Sequence, residues 1–232
     1  MSSDLVREGV ALVEAASAND LVLRLLGGAA IVLHASGSGS AHREIADLDA
    51  ATRHSDSGRL AETLRILGYE AESRFNALHG NRRLLFHGPH GRLDIFVDTF
   101  EMCHRIDLRP RLLLESPTLT VSDLLLTKLQ IVELNAKDAH DVFLLFQHHE
   151  LRVGPGDHID IEYFAGLVAD DWGLWRTMTR TLGRVAEQEP AIAGKAQALE
   201  QVLDEAPKST RFRLRAKVGE RKRWYELPEE MG

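Results

Sequence analysis

Apolar residues recur along the chain with two different spacings, which divide it into a mixed first half and a helical second half. The first half contains short apolar runs and alternating segments that are bounded by glycine-rich turns. The second half shows leucines at helical spacing, most densely between Ser122 and His148. This order of elements predicts an α+β fold, with a mixed-sheet head followed by a helical C-terminal half.

The first half is predicted to contain three helices and five short strands. The predicted helices cover residues 4–19, 29–35 and 57–67, the last of which ends at Gly68, a favourable helix-ending residue. The predicted strands cover residues 21–26, 45–52, 70–78, 82–87 and 92–97, and the last three are expected to form an antiparallel meander. The SGSGS sequence at residues 36–40 is expected to be a flexible turn.

The second half is predicted to be almost entirely helical. One long helix is expected over residues 122–148, and helices are expected over residues 157–206 with breaks near Gly183 and Pro190. No internal repeat recurs at a fixed period. We therefore expect an α/β head over residues 1–115, a helical domain over residues 116–207 and a basic C-terminal tail over residues 208–232.

Composition excludes several classes of protein. The chain has 232 residues, 44% of them apolar, which is enough for a sizeable core, and its net charge of −7 argues against a protein that coats nucleic acid with its whole surface. One cysteine excludes an internal disulfide framework and a multi-cysteine zinc site, and we expect Cys103 to be a buried structural thiol. The longest apolar stretch, residues 21–35, is shorter than the roughly 20 residues that cross a bilayer, and residues 1–16 do not resemble a signal peptide. The sequence predicts a soluble cytoplasmic protein.

Basic residues concentrate near the C-terminus. Residues 208–223 include eight lysines and arginines and a single acid, Glu220, whereas the rest of the chain is acidic. This segment is interpreted either as a solvated end that folds back on the acidic body or as a surface that holds phosphates. Trp224 and Tyr225 follow it, and aromatic rings can stack on bases, which favours RNA as the partner in the second interpretation.

Two features of the first half suggest phosphate and metal chemistry. Gly27 and Gly28 lie between a predicted strand and a predicted helix, where glycine is typical of a tight turn and also lets the backbone approach a phosphate. Asp47 and Asp49 lie two residues apart on a predicted strand, so both carboxylates project from the same face. An exposed strand edge explains such a pair as well, but a bound Mg²⁺ would offset the repulsion between the two charges.

Asp94 is a third candidate carboxylate. It lies within the apolar strand Leu93-Asp94-Ile95-Phe96-Val97, where burying an acid without a partner is costly. If this strand neighbours the one with Asp47 and Asp49, three carboxylates converge, as a two-metal phosphoryl-transfer site requires. The alternative is that Asp94 lies on the exposed face of a half-buried strand.

The order of these motifs resembles the polymerase-β-like nucleotidyltransferase superfamily. Its pattern is a Gly-Gly or Gly-Ser turn, an Asp-x-Asp strand and a third acid on a later strand. Two further segments are similar to the helices of AbiEii-type nucleotidyltransferases, many of which are bacterial toxins: Leu124-Leu125-Leu126-Thr127-Lys128-Leu129-Gln130 and Lys137-Asp138-Ala139-His140-Asp141. The resemblance covers roughly residues 20–147. This sequence departs from the family pattern in two ways. It has 18 residues between Gly28 and Asp47, more than many members have, and its second turn residue is glycine where many members have serine.

The resemblance implies a role for each candidate residue. Asp47 and Asp49 are expected to bind two Mg²⁺ ions that carry a nucleoside triphosphate, and Asp94 to ligate the second ion and help deprotonate the acceptor hydroxyl. Backbone amides near Gly27 and Gly28 are expected to hold phosphates. The resemblance adds nucleotide contacts on the helical half, from Lys128, Lys137 and Asp141. The alternatives are a surface lysine at position 128 and a simple intrahelical ion pair between Lys137 and Asp141.

The implied reaction is transfer of a nucleoside monophosphate from a nucleoside triphosphate to a hydroxyl, with release of pyrophosphate. The candidate acceptors are RNA (tRNA in particular), a protein side chain and a small molecule. The basic C-terminal tail favours RNA. The resemblance also implies a toxin-like component with an antitoxin partner. The alternative is a non-catalytic relative that keeps the fold and binds or senses nucleotide.

Overall fold

The computed structural model describes residues 2–35 and 44–227 of the chain, so the predicted SGSGS turn lies outside the described residues. These residues form ten α-helices and nine short strands. The strands are β1 (Leu23–Leu26), β2 (Leu48–Thr52), β3 (Glu70–Ala71), β4 (Arg83–His87), β5 (Arg92–Val97), β6 (Thr99–Glu101), β7 (Arg105–Asp107), β8 (Leu151–Arg152) and β9 (Ile159–Asp160). The helices are α1 (Ser2–Ser17), α2 (Gly27–Ala35), α3 (His54–Ile66), α4 (Ser73–His79), α5 (Val121–Leu129), α6 (Ala136–His148), α7 (Ile161–Val168), α8 (Trp172–Gln188), α9 (Ala193–Glu205) and α10 (Thr210–Val218).

The chain divides into two compact units. The first unit comprises Met1–Phe100 and Ile106–Thr120, and the second comprises Glu101–Arg105 and Val121–Gly232. The first unit contains the large sheet, and the second is mainly helical. The predicted α+β fold, with a mixed sheet followed by a helical part, is therefore confirmed. Within the described residues, no helix combines the length and the apolar character needed to cross a membrane.

The sheet of the first unit has five strands in the order β1-β2-β5-β4-β3. The pair β2–β5 is parallel, whereas β1–β2, β4–β5 and β3–β4 are antiparallel, so the sheet is mixed. The predicted antiparallel meander of the last three strands is confirmed. Because β2 and β5 are the central neighbours, the residues in register on them determine what the middle of each face presents.

One face of this sheet is apolar and packs against helix α1. Leu25, Ala50 and Ile95 are in register across three strands and are fully buried. Helix α1 approaches closely, since a Cβ atom added at Gly9 would lie 3.0 Å from the Leu25 side chain and 3.3 Å from that of Leu48. Side chains alternate between faces along a strand, so the residues between these apolar ones project from the opposite face. That opposite face carries the candidate carboxylates.

Three sequence predictions about elements are wrong. The predicted strand over residues 70–78 is a strand only at Glu70–Ala71 and continues as helix α4. The single helix predicted over residues 122–148 is two helices, α5 and α6, with residues 130–135 between them. Helix α8 continues through Gly183, although the predicted interruption at Pro190 is confirmed by a short 3₁₀ turn, Pro190–Ile192. The sequence pattern assigns no element to residues 210–218, which form helix α10.

Candidate functional site

Gly27 begins helix α2 directly after strand β1 and has a conformation that favours glycine. Its φ angle is +64°, in the left-handed region, where a residue with a side chain is strained. A Cβ atom at this position would lie only 2.2 Å from Oδ2 of Asp49. Gly27 therefore makes the tight turn and also leaves the space that the Asp49 carboxylate occupies.

Replacing Gly27 by alanine is expected to displace the Asp49 carboxylate and destabilise the first unit. The left-handed conformation alone costs a residue with a side chain roughly 1–2 kcal/mol, and the clash with Asp49 adds to it. Thermal unfolding of Gly27→Ala measures the effect. Gly58→Ala is the matched control, because a Cβ atom there meets nothing within 4 Å and alanine favours the surrounding helix. Equal unfolding temperatures for the two variants would contradict the prediction.

Two of the candidate carboxylates, Asp49 and Asp94, lie on the sheet face opposite helix α1. Asp49 on β2 is in register with Leu26 on β1 and with Asp94 on β5. Residues in register on neighbouring strands share a face, so the carboxylates of Asp49 and Asp94 project side by side. Asp47 immediately precedes β2. Asp47 is exposed, Asp49 is half-buried and Asp94 is buried. We call Asp47, Asp49 and Asp94 the acidic group.

Arg83 adds a positive charge that the sequence analysis missed. Its Nε donates to Oδ1 of Asp94 at 2.7 Å, and its Nη2 donates to Oδ2 of the same carboxylate. The guanidinium carbon lies 5.1 Å from the centre of the Phe96 ring. The bond to Asp94 raises the pKa of Arg83, burial opposes this rise, and the charges of Asp94 and Asp49 add to it. Arg83 is thus a permanent cation that engages both oxygens of Asp94.

The register of the hairpin between β4 and β5 contains the signal for this contact. A turn at Gly88–Gly91 pairs His87 with Arg92, which places Leu85 opposite Asp94 and Arg83 opposite Phe96. Residues two positions apart on one strand share a face, so Arg83 is the diagonal neighbour of Asp94. A long arginine side chain spans that diagonal.

The acidic group suits a divalent cation in part. Carboxylate oxygens are the donors that Mg²⁺ prefers, and two are available from Asp49 on β2 and from Asp47 just before that strand. Asp94 is 2% exposed and both of its oxygens accept hydrogen bonds from Arg83, so in this arrangement neither oxygen is open to a metal ion. The residues therefore fit one divalent cation at Asp47 and Asp49. The assignment of Asp94 to a second cation stays a prediction.

The structure brings together Lys128 and Asp141 in the second unit. Lys128 Nζ lies 2.9 Å from Oδ2 of Asp141 and 2.7 Å from Oδ1 of Asp138. Burial lowers the pKa of Lys128, but the attraction of the two carboxylates outweighs it and the net shift is upward. Asp141 is completely buried, whereas Lys137 is exposed. Lys128 therefore links helix α5 to helix α6, which gives it a structural role whatever else it does.

Residues 209–227 pack within the second unit. Phe212 of helix α10 is buried, with its ring edge-on to Trp175 at 5.6 Å between ring centres. Trp224 packs against Trp172 at 5.7 Å, and its indole Nε1 donates to Oγ1 of Thr177 at 3.1 Å. The Trp224 ring is therefore engaged within the unit, although the sequence analysis offered it as a base-stacking residue.

Cys103 lies in the same unit and is buried. Its sulfur accepts a weak hydrogen bond from the backbone N–H of Val132 at 3.5 Å, and its carbonyl oxygen accepts one from the backbone N–H of Glu226 at 3.0 Å. The neighbouring His104 has its Nε2 2.8 Å from Oγ1 of Thr177, and burial lowers the pKa of this imidazole. Both residues serve packing, as expected for a structural thiol.

Helix α10 and the residues that follow it expose basic side chains, and we call these residues the basic surface: Arg211, Arg213, Lys217, Arg221, Lys222 and Arg223. The single acid of this segment, Glu220, is engaged by Arg176, with Nη2 2.6 Å from Oε1. Among the described residues, no carboxylate forms an ion pair with a member of the basic surface. Within the described part of the second unit, these positive charges therefore have no carboxylate partner, on a chain whose net charge is −7.

The chain resembles two solved structures in fold. It is similar to the antibiotic-resistance factor ANT(2'')-Ia, with 15% identity and a TM-score of 0.46 over 63% of this chain and 85% of that one. It is also similar to an antigenic nucleotidyltransferase-like protein from Paracoccidioides brasiliensis, with 14% identity and a TM-score of 0.48 over 90% of this chain and 95% of that one. No protein-family model matches the chain, and no curated protein matches it.

Proposed function

We propose that the chain is a Mg²⁺-dependent nucleotidyltransferase that moves a nucleoside monophosphate from a nucleoside triphosphate to a hydroxyl. The proposal depends on one observation, the register that sets Asp49 beside Asp94 on the parallel strands β2 and β5. Asp47 lies two residues before Asp49, and the glycine that begins helix α2 adjoins the same carboxylate. Acids that cluster in this way next to a helix N-terminus suit a metal-bound triphosphate.

Each candidate site residue of the first unit has a proposed role. Asp47 and Asp49 would hold Mg²⁺, which when bound neutralises phosphate charge and makes the α-phosphorus more electrophilic. Backbone N–H groups at Gly27 and Gly28 would bind the outer phosphates, since a helix N-terminus attracts anions. The acceptor oxygen then bonds to the α-phosphorus while the bond to the bridging oxygen of pyrophosphate breaks. Asp94 would accept the hydroxyl proton once Arg83 releases it.

The nucleotide contacts proposed for the second unit differ in availability. Lys128 and Asp141 already bind each other, so a nucleotide contact by either would have to replace that ion pair. Lys137 is exposed and needs no such exchange. Lys137 is therefore the member of this set that we favour for a phosphate contact.

We propose RNA as the acceptor, on the strength of the basic surface. Its exposed arginines and lysines have no carboxylate partners among the described residues, and such groups bind phosphate backbones. The toxin role and the antitoxin partner remain predictions from the sequence resemblance.

Neutralising three members of the basic surface tests this acceptor. Arg211→Gln, Arg213→Gln and Lys217→Gln, combined, are expected to weaken binding of single-stranded RNA and to reduce the slope of log Kd against log salt by about 2, at ~0.7 per lost phosphate contact. Fluorescence anisotropy at several salt concentrations measures both quantities.

The control removes the same charge from the first unit, at the exposed residues Arg7, Arg65 and Arg74. This control is expected to retain the affinity for RNA and its salt dependence. Equal losses in the two triple variants would show a general effect of net charge and would contradict a specific role for the basic surface.

A label-transfer assay tests the activity itself. Purified protein, Mg²⁺ and each α-labelled nucleoside triphosphate in turn are incubated with a cell extract that is afterwards separated into RNA, protein and small molecules. Label is expected in the RNA fraction, and Asp47→Asn, run alongside, is expected to abolish it. Label in another fraction would name a different acceptor, and equal transfer by the variant would refute the metal assignment.

The second candidate function is a non-catalytic nucleotide-binding relative. The observation that favours it is the ion pair of Arg83 with Asp94, because a carboxylate with both oxygens engaged cannot accept a proton from an acceptor. This candidate predicts that the protein binds a nucleoside triphosphate but transfers no label to any fraction.

A further inference from the structure

Arg83 and a metal ion need the same carboxylate. We propose that Arg83 substitutes for a second divalent cation at Asp94 and thereby sets the number of cations that the acidic group holds to one. This inference rests on the cation site at Asp47 and Asp49 that the proposed function includes. It goes further in assigning a role to a residue outside the acidic group.

Hydrogen bonds, an aromatic ring and burial together hold Arg83 in position on Asp94. Two parallel N–H bonds engage the two carboxylate oxygens, the geometry in which a guanidinium binds a carboxylate most specifically. The Phe96 ring lies beneath the guanidinium, at 5.1 Å from its carbon. Arg83 is 23% exposed at its side chain and Asp94 2%, so water screens this pair weakly. A second cation would have to displace a buried, well-oriented partner.

The charge of the Asp94 carboxylate is already balanced by Arg83. Without Arg83 this carboxylate, which is 2% exposed, would keep a negative charge in a buried strand with no guanidinium beside it, which is costly. Asp94 then needs a cation of its own. Removal of Arg83 should therefore create a second metal site.

Binding of Mn²⁺ tests the inference without reference to activity. Mn²⁺ replaces Mg²⁺ at oxygen sites, and the electron paramagnetic resonance signal of free Mn²⁺ gives the number of ions bound. We expect one ion on the unaltered protein and two on Arg83→Met. We also expect Mn²⁺ to raise the unfolding temperature of Arg83→Met more than that of the unaltered protein, because the ion compensates the buried Asp94 carboxylate.

A double variant, Arg83→Met with Asp94→Asn, guards against the case in which Arg83→Met does not fold. It removes both charges of the pair and leaves the net charge of the group unchanged, and buried ion pairs tolerate replacement by neutral groups of similar volume. We expect this variant to bind one Mn²⁺ ion with the affinity of the unaltered protein. Loss of binding would show that Asp94 is already a ligand and would overturn the inference.

The remaining outcomes separate this inference from the proposed function. Two ions on the unaltered protein, or one ion on a folded Arg83→Met, would overturn the role of Arg83 and leave the cation site at Asp47 and Asp49 standing. Absence of Mn²⁺ binding by the unaltered protein would overturn both. One ion before and two after the removal of Arg83, with the double variant at one, supports the inference.

Discussion

Replacing Asp49 by asparagine is expected to lower nucleotidyl transfer by about 10³-fold while the fold is retained. The loss of a metal-ligating carboxylate removes several kcal/mol of transition-state stabilisation, and about 4 kcal/mol corresponds to roughly 10³-fold in rate. Asparagine has nearly the same shape, so it fits the space beside Gly27. It removes both the repulsion from the neighbouring carboxylate and the attraction to Arg83, so the unfolding temperature should change little.

The rate of label transfer and the unfolding temperature are measured on the same preparations. Glu62→Gln is the control, since Glu62 is an exposed carboxylate on helix α3 that pairs with Arg65. This control is expected to transfer label at the normal rate. A variant at position 49 that transfers label as fast as the control would remove the basis of the proposed function.

Replacing Lys128 by methionine is expected to destabilise the protein by about 3–5 kcal/mol, the usual cost of removing one partner of a buried ion pair. Asp141 is completely buried, and its Oδ2 lies 2.9 Å from the charged Nζ of Lys128. For a protein of this size the loss corresponds to a fall in unfolding temperature of roughly 10 °C. Thermal and urea unfolding measure the change.

A double variant separates the charge from the packing. Combining Lys128→Met with Asp141→Asn leaves no unpaired charge at position 141, so much of the lost stability should return. Lys137→Met is the matched control, because Lys137 is an exposed lysine at the start of helix α6. A control that loses as much stability as Lys128→Met would show that the buried pair is unimportant.

The stabilisation by Lys128 also has a predictable dependence on pH. The pKa of Lys128 is raised above its ordinary value of 10.5 in the folded protein, so folding favours the charged form. The stabilisation is fully present below that ordinary value and is lost as the pH rises through the raised pKa. The difference in stability between the unaltered protein and Lys128→Met should therefore be constant from pH 6 to about pH 9, as urea unfolding across this range can show.

The strands at the centre of the first unit could be predicted because each is short, apolar and bounded by turn residues. Residues 70–78 were mispredicted for a reason outside their own pattern. Asn76 of helix α4 accepts a hydrogen bond from the backbone N–H of Leu85 at 2.7 Å and donates one to its carbonyl oxygen at 3.0 Å. The side-chain amide thus replaces the backbone hydrogen bonds that another strand would have made to Leu85. A helix can therefore occupy this edge of the sheet.

The break between helices α5 and α6 could not be predicted from hydrophobic spacing, since both helices bury leucines on one side. The break is stabilised by polar side chains. Gln130 accepts a hydrogen bond from the backbone N–H of His104 at 2.7 Å, and Asn135 accepts one from that of Asp138 at 2.9 Å and so caps α6. Asn135 followed three residues later by Asp138 was the available local signal.

The acidic group illustrates the same limit. The sequence predicts convergence only if the strand of Asp94 neighbours that of Asp49, and the pairing of β2 with β5 brings these two residues into register. The partner of Asp94 depends on the exact register of a hairpin, because a shift of one residue would turn Arg83 to the other face. A motif can thus indicate candidate metal ligands. Whether each ligand is already paired with a positive charge depends on the residues of the neighbouring strand.

The folded position of the C-terminal residues has a practical consequence for chain truncation. Trp224 covers Trp172 and bonds to Thr177, and Phe212 packs against Trp175. A chain cut before residue 208 would leave these aromatic faces in water and so invite aggregation. Truncation would therefore report damage to the helical core whether or not RNA contacts were lost. Point substitution of exposed arginines, which keeps the aromatic packing, is the cleaner route to the function of this segment.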